Sequence, residues 1–173
     1  MLPAIDHFNA MTDAEAASVL RVLFENAPAF ADRVARHRPF ASYEELIDRS
    51  EKVAVSLAES DQLEVINGHP QIGANPARVS THSYREQGYQ EGASDRDAEL
   101  TGRLARLNAD YERRFGFRFC IFVAGRPRSE VADIMESLLN ASREEELQRG
   151  LSDVFAIARS RVQKLFNPLE EAR

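Results

Sequence analysis

The chain has 173 residues, 43% of them apolar, which suffices for one full core and leaves little room for a second catalytic domain. A formal net charge of -6 and an isoelectric point near 5.3 argue against nucleic acid and anionic membrane as partners, because both recruit a basic surface. The single cysteine, Cys120, excludes an intrachain disulfide; with no basic-then-apolar leader, no run of membrane-spanning length and no peroxisomal ending at Arg173, a cytoplasmic protein is expected.

From the N-terminus onward, helix signals dominate. Thr12-Asp-Ala-Glu15 is a capping-box pattern, and Val19, Leu20, Leu23 and Phe24 behind it predict a helix over about 13–26 that Asn26-Ala-Pro28 ends. Pro28 suits the first turn of a second helix to about His37, and Ser42-Tyr-Glu-Glu45 predicts a third, carrying Leu46, Val53 and Leu57 inward. A short helix from Asp61 to Asn67 stops at Gly68. Beyond a loop, a turn or two near Tyr84 to Tyr89 gives way to Gly88 and Gly92, and a long charged helix runs from about Arg96 to Arg114. Phe117 to Ala124 is too short for a helix and rich in aromatic and β-branched residues, so it should run extended through the core with Cys120 as a buried thiol. Gly125-Arg-Pro-Arg128 turns the chain, Ser129 is placed to cap a helix to about Leu139, and Ser142-Arg-Glu-Glu145 opens a last helix to about Phe166, ended by Asn167-Pro168. No repeat, low-complexity tract or linker interrupts this pattern. The prediction is an all-α, single-domain helical bundle over 1–173, with seven or eight helices and one extended core segment.

Acid/base and hydrogen-bonding groups concentrate in Asn67-Gly-His-Pro-Gln-Ile-Gly73 and, shortly after it, Ser83-Tyr-Arg-Glu-Gln87. His69 is the only histidine between a glycine and a proline, so its backbone is expected to be pinned with the ring toward a cavity. Glu86 and Gln87 set a carboxylate beside a primary amide. Together these groups suit a small, polar, amide-rich molecule, with the histidine moving a proton and the Glu/Gln pair reading donors and acceptors. The plainer alternatives are a helix C-cap at Gly68 before an ordinary histidine, and a capping box at Ser83-x-x-Glu86 that requires no chemistry.

Arg161 is the second informative position. On a helix, Leu147, Leu151, Val154, Ala158 and Leu165 form an apolar stripe, and Arg161 falls at one side of it, with Arg159 beyond the other. A guanidinium packed there needs an anion, from the protein or from a substrate, unless the side chain snorkels to water. The four histidines, His7, His37, His69 and His82, lack paired-ligand spacing, so no metal is predicted. Gly68 and Gly73 lack the Lys-Ser/Thr ending of a phosphate loop, and the aromatics of Arg114-Phe-Gly-Phe-Arg-Phe119 read as core packing, not an RNA-binding strand.

His69-Pro70 with Ile72-Gly73, Ser83-x-x-Glu86-Gln87, the Phe115-Gly-Phe117 step into an apolar segment, and Ile157-Ala-Arg-Ser-Arg161 resemble, in order, the 2-oxo-4-hydroxy-4-carboxy-5-ureidoimidazoline (OHCU) decarboxylases of urate breakdown. The likeness extends to Phe8-Asn9 and Arg38-Pro39-Phe40, although Arg118 stands where many relatives carry proline. The resemblance implies an all-helical, cofactor-free enzyme, usually a homodimer, that decarboxylates the ureidoimidazoline to (S)-allantoin. Carried over residue by residue, it makes His69 the catalytic acid/base, and a mechanism built on that role makes Glu86 the candidate for orienting the proton transfer. Glu86 and Gln87 would hold the ureido and ring amides, Ser83 would add a hydrogen bond, Pro70 would shape the pocket wall, and Arg161 would bind a polar edge or carboxylate. Backbone groups from Phe119 through Ile121 to Val123 would complete the site. Two rival readings stand beside this one: a hydrolase or lyase acting on a related ureide, and a non-catalytic helical module in which His69, Glu86 and Arg161 satisfy one another.

Overall fold

The computed structural model of the chain describes residues 1–74, 80–87 and 95–165. The expected breaks at Gly88 and Gly92, the Tyr89 end of the short turn, the Asn75-Pro76 stretch and the Phe166-Asn167-Pro168 stop lie outside these residues. Among the described residues there are nine helices and no strand: α1 (Ile5–Ala10), α2 (Asp13–Phe24), α3 (Pro28–Ala35), α4 (Tyr43–Val55), α5 (Glu59–Asn67), α6 (Thr81–Glu86), α7 (Asp95–Phe115), α8 (Arg128–Leu138) and α9 (Arg143–Leu165). The fold is all-α, as expected. The additional helix is α1, only six residues long and without a side-chain cap, which leaves no periodic pattern to read.

Local chemistry explains most of the boundaries. Thr12 and Glu15 close a reciprocal capping box on α2, and Ser142 with Glu145 does the same for α9. Pro28 occupies the first turn of α3. Ser42 caps α4 by accepting from the Glu45 amide, while the Glu45 carboxylate accepts from the Ala41 amide at 2.5 Å, one residue earlier than a capping box requires. Two expected caps are corrected. The side chain that caps α6 is Ser80, which accepts from the Ser83 amide at 3.1 Å and leaves Ser83 inside the helix. Ser129 lies in the first turn of α8, whose N-cap is Pro127 at φ -64; the proline ring already sets the entry angle that a serine cap would supply.

The backbone divides into two compact units, one formed by Met1–Gly68 with the described residues from Leu151 onward, the other by His69–Gly150. The first holds α1 to α5 and the later part of α9. Its centre is a trio of phenylalanines: Phe24 lies 5.1 Å from Phe30 and 5.7 Å from Phe155 between ring centroids, each meeting edge to face. Gly68 closes α5 in right-handed helical geometry, so conformational freedom is not what demands glycine there. A Cβ at that position would lie 3.0 Å from the Asn26 carbonyl group, a contact only glycine avoids.

The second unit holds α6, α7, α8 and the start of α9. Tyr111 of α7, fully buried, sits among Phe115, Phe117 and Phe119, with centroids 4.5, 5.8 and 5.1 Å away. The stretch from Arg118 to Val123 is neither helix nor strand. Phe117, Phe119, Cys120, Ile121 and Val123 are buried while Arg118 is exposed, so the segment crosses the core as expected, with Cys120 a buried thiol.

Candidate active site

His69 opens the second unit and is 5% exposed, in a short loop that lies along α7. Leu104, Asn108 and Glu112 occur at four-residue intervals and therefore share one face of that helix. They meet the loop in reverse order. A Cβ built on Gly73 would be 3.1 Å from the Leu104 side chain, Asn108 Nδ2 donates to the Ile72 carbonyl at 2.9 Å, and Gln71 Nε2 donates to Glu112 at 2.5 Å. Gly73 has φ +79, so the left-handed backbone and the crowding by Leu104 both call for glycine. Arg118 reaches back to the His69 carbonyl at 3.4 Å.

Gln87 holds the same loop from the end of α6. Its Nε2 donates to the Gln71 carbonyl at 3.2 Å and its Oε1 accepts from the Gly73 amide at 3.0 Å. Each such bond contributes about 0.5–1.5 kcal/mol, and the greater effect is geometric, because one amide fixes a donor and an acceptor two residues apart. Ser83 and Gln87 are buried and Glu86 is half-buried. Among the expected site residues, this unit therefore contains His69, Pro70, Ser83, Glu86, Gln87, Phe119, Ile121 and Val123.

The Phe119–Val123 backbone has its own supports. Arg149 donates to the Cys120 carbonyl at 2.9 Å and lies 4.9 Å over the Phe119 ring, while Arg126 donates to the Phe122 and Val123 carbonyls at 2.9 and 3.2 Å. Arg149 is paired at 2.8 Å with Glu146, which is 1% exposed and accepts a 2.6 Å hydrogen bond from the Tyr111 hydroxyl. Burial, then the bond to Glu146, pushes the Tyr111 hydroxyl well above its ordinary value. Burial alone would lower the Arg149 guanidinium, but Glu146 and Tyr111 outweigh it and raise it. Beside Glu146 the cluster thus keeps an arginine cation and a neutral phenol, giving the Cys120 carbonyl a charged donor.

Arg161 belongs to the first unit. It is 1% exposed, so it does not snorkel; Nη1 pairs with Glu25 at 2.8 Å and donates to the Val22 and Leu23 carbonyls at 3.0 and 3.4 Å. Its cation therefore answers a protein carboxylate and the C-terminal carbonyls of α2, where the helix dipole is negative. Glu25 takes φ 55, outside helical geometry, to present that carboxylate. Arg159 pairs instead with Asp48 and Glu51 at 2.9 and 2.6 Å.

A pocket of about 210 Å³ in the first unit, lined by His37, Phe40 and Arg49 among others, contains none of the expected site residues. Among the described residues no group of three His, Cys, Asp or Glu side chains converges as a metal site would require, and no helix is long and apolar enough to cross a membrane. The residues that sequence reasoning missed are Asn108, Glu112, Tyr111, Glu146 and Arg149. The available signal was an asparagine inside a long helix beside Leu104, Leu107 and Tyr111, a position where its weak helix propensity has no local explanation.

A family model described as OHCU decarboxylase matches residues 9–163. The 2-oxo-4-hydroxy-4-carboxy-5-ureidoimidazoline decarboxylase of Mus musculus is 30% identical over 160 residues, covering 91% of this chain and 89% of that protein. The uric acid degradation bifunctional protein of Bacillus sp. (strain TB-90) is 26% identical over 94% of this chain, which spans only 32% of that relative's length. The crystal structure of OHCU decarboxylase in the presence of (S)-allantoin superposes with a TM-score of 0.68 at 22% identity, over 90% of this chain and 99% of that one, and shows the shared fold.

Proposed function

The chain belongs to the OHCU decarboxylase family, and on that footing we propose that it converts 2-oxo-4-hydroxy-4-carboxy-5-ureidoimidazoline to (S)-allantoin and carbon dioxide in urate degradation. The observation that carries this reading is the bracing of the His69 loop: a buried histidine on a backbone tied to α7 by Asn108 and to the end of α6 by Gln87. A proton-transfer group needs a fixed position more than it needs charged neighbours. Because the family match spans both units, we take residues 1–173 as one decarboxylase domain.

In the reaction, the bond between the carboxylate and the hydroxyl-bearing ring carbon breaks, and its electron pair enters the adjoining C=N system of the ring. Carbon dioxide leaves and one proton is taken up per carboxylate consumed. The ring itself is the electron sink, so we assign no cofactor. His69 takes or shares the proton of the ring hydroxyl, Glu86 orients that transfer, and delivery of the incoming proton to one face sets the S configuration. Ser83 and the backbone N–H groups around Phe119, Ile121 and Val123 hold the ureido and ring amides, and Pro70 forms wall. Gln87, occupied with the loop backbone, acts chiefly by holding His69 in place. A cytoplasmic homodimer is part of the proposal, by the resemblance of the sequence to its family.

The test is to generate the ureidoimidazoline in situ and follow its decay and carbon dioxide release with and without the protein. Accelerated release that is lost in His69→Asn supports the reading; ureide hydrolysis without carbon dioxide would replace it with a hydrolase, and an uncatalysed rate would leave a binding module.

A further inference from the structure

We propose that Asn108 is a positioning residue for this reaction: its side-chain amide fixes the Ile72 carbonyl, and through it the loop that carries His69. The inference rests on the role given to His69 above. Asn108 lies in the interior of a 21-residue helix and is 4% exposed, so neither helix propensity nor burial preference accounts for asparagine there. Its Nδ2 spans two carbonyls, Leu104 in its own helix at 2.8 Å and Ile72 at 2.9 Å, 36 residues away in sequence. The first is a bond any buried asparagine on a helix can make; the second is specific to the loop.

The other end of the amide points to the same conclusion. Among the described residues, Asn108 Oδ1 is buried with no hydrogen-bond donor, a destabilising condition that an apolar side chain of similar size avoids. An amide serving stability alone would satisfy both ends; this one satisfies the end that faces the loop. Asn108 is also the middle of the three α7 rungs, between an apolar contact at Leu104 and the half-buried Gln71–Glu112 bond. Between Ile72 and His69 stands Pro70, whose ring removes a backbone rotation that could absorb a displacement. A shift at Ile72 is therefore passed to His69.

Asn108→Leu separates this role from simple structure by removing the amide at similar size, with Asn108→Asp, which turns the donor into an oxygen facing two carbonyls, as the more disruptive companion. Readouts are kcat and KM on ureidoimidazoline generated in situ, the thermal midpoint, and the ring ¹H–¹⁵N resonances of His69. The expected result is a kcat lower by about 10- to 100-fold with KM within about twofold, in a variant whose thermal midpoint stays close to that of the parent, with displaced His69 resonances. Unchanged kcat in a folded variant, with His69→Asn inactive, overturns the proposal, as does a loss of rate that merely tracks loss of folded protein. If His69→Asn keeps full activity, the mechanism above fails instead. The positioning claim is then decided by the His69 resonances, unmoved signals overturning it and displaced ones sustaining it.

Discussion

Two loops in this protein are held by the same device and carry different cargo. In the first unit, Asn9 Nδ2 donates to the Phe40 carbonyl at 2.8 Å and Oδ1 accepts from the Phe40 amide at 2.9 Å; in the second, Gln87 does the equivalent across Gln71 and Gly73. The Phe40 loop has charged helpers as well: Arg49 donates to the His37 and Pro39 carbonyls, and Arg38 to that of Met11. What it delivers is the buried Phe40 ring, 6.4 Å from Phe8 between centroids. The His69 loop relies mainly on neutral amides and delivers an imidazole. A clamp around an apolar cargo should register as stability, and the same clamp around a reactive cargo should register as rate.

The largest effect expected from that contrast is at the cargo itself. His69→Asn should lower kcat by about 10²- to 10⁴-fold with little change in melting temperature, the range associated with a positioned general acid/base; a smaller loss would make the loop's reactivity incidental. Arg161→Met comes next, destabilising the fold by about 3–5 kcal/mol in urea titration because Glu25 loses its buried cation. Its KM, measured on the folded fraction, sharpens the assignment: an unchanged KM makes Arg161 purely structural, and a raised one adds the substrate contact implied by the family resemblance.

A paired comparison of Asn9→Leu and Gln87→Leu tests the contrast more finely. Each removes two backbone hydrogen bonds worth about 1 kcal/mol apiece. Asn9→Leu should lower the urea midpoint and leave the specific activity of folded enzyme intact, whereas Gln87→Leu should reduce kcat; equal losses of specific activity would erase the distinction. The smallest effect concerns a device that should behave alike in both units. Glu15 is held below the ordinary carboxylate value by hydrogen bonds from the Thr12 side chain and backbone, and Glu145 by those from the Ser142 backbone and side chain. Since both are lowered, their contribution is present above their ordinary value of 4.5 and is lost as pH falls through the lowered folded values. Glu15→Gln and Glu145→Gln should each flatten the acid limb of stability slightly and similarly; a much larger change in either would mean that its box does more than cap.

What was legible in the sequence follows from distance along the chain. Capping boxes at Thr12 and Ser142 and the Pro28 start place both partners within one helical turn, and all three stand. Ser83 and Ser129 also had the right residue type, but neighbouring Ser80 and Pro127 occupy the capping positions, a choice between near-equivalent registers that short patterns do not resolve. Arg161, at one side of an apolar helical stripe, was legible as a cation that needs an anion or an escape to water, and the choice between them depended on a carboxylate 136 residues away. An asparagine inside a long helix and a Glu146-x-x-Arg149 pair were visible locally, but the bonds that give them meaning, Asn108 to Ile72, Tyr111 to Glu146, and Arg149 to Cys120 and Tyr111, join residues 29 to 38 apart, so the sequence does not name the partners.

The central claim is that the braced His69 loop performs a stereochemically controlled decarboxylation. Circular dichroism during urate oxidation tests it most directly, with urate oxidase and hydroxyisourate hydrolase supplied and the parent protein compared with His69→Ala. The account predicts accumulation of optically active (S)-allantoin with the parent and racemic product with the variant; racemic allantoin at the uncatalysed rate with the parent protein would contradict it.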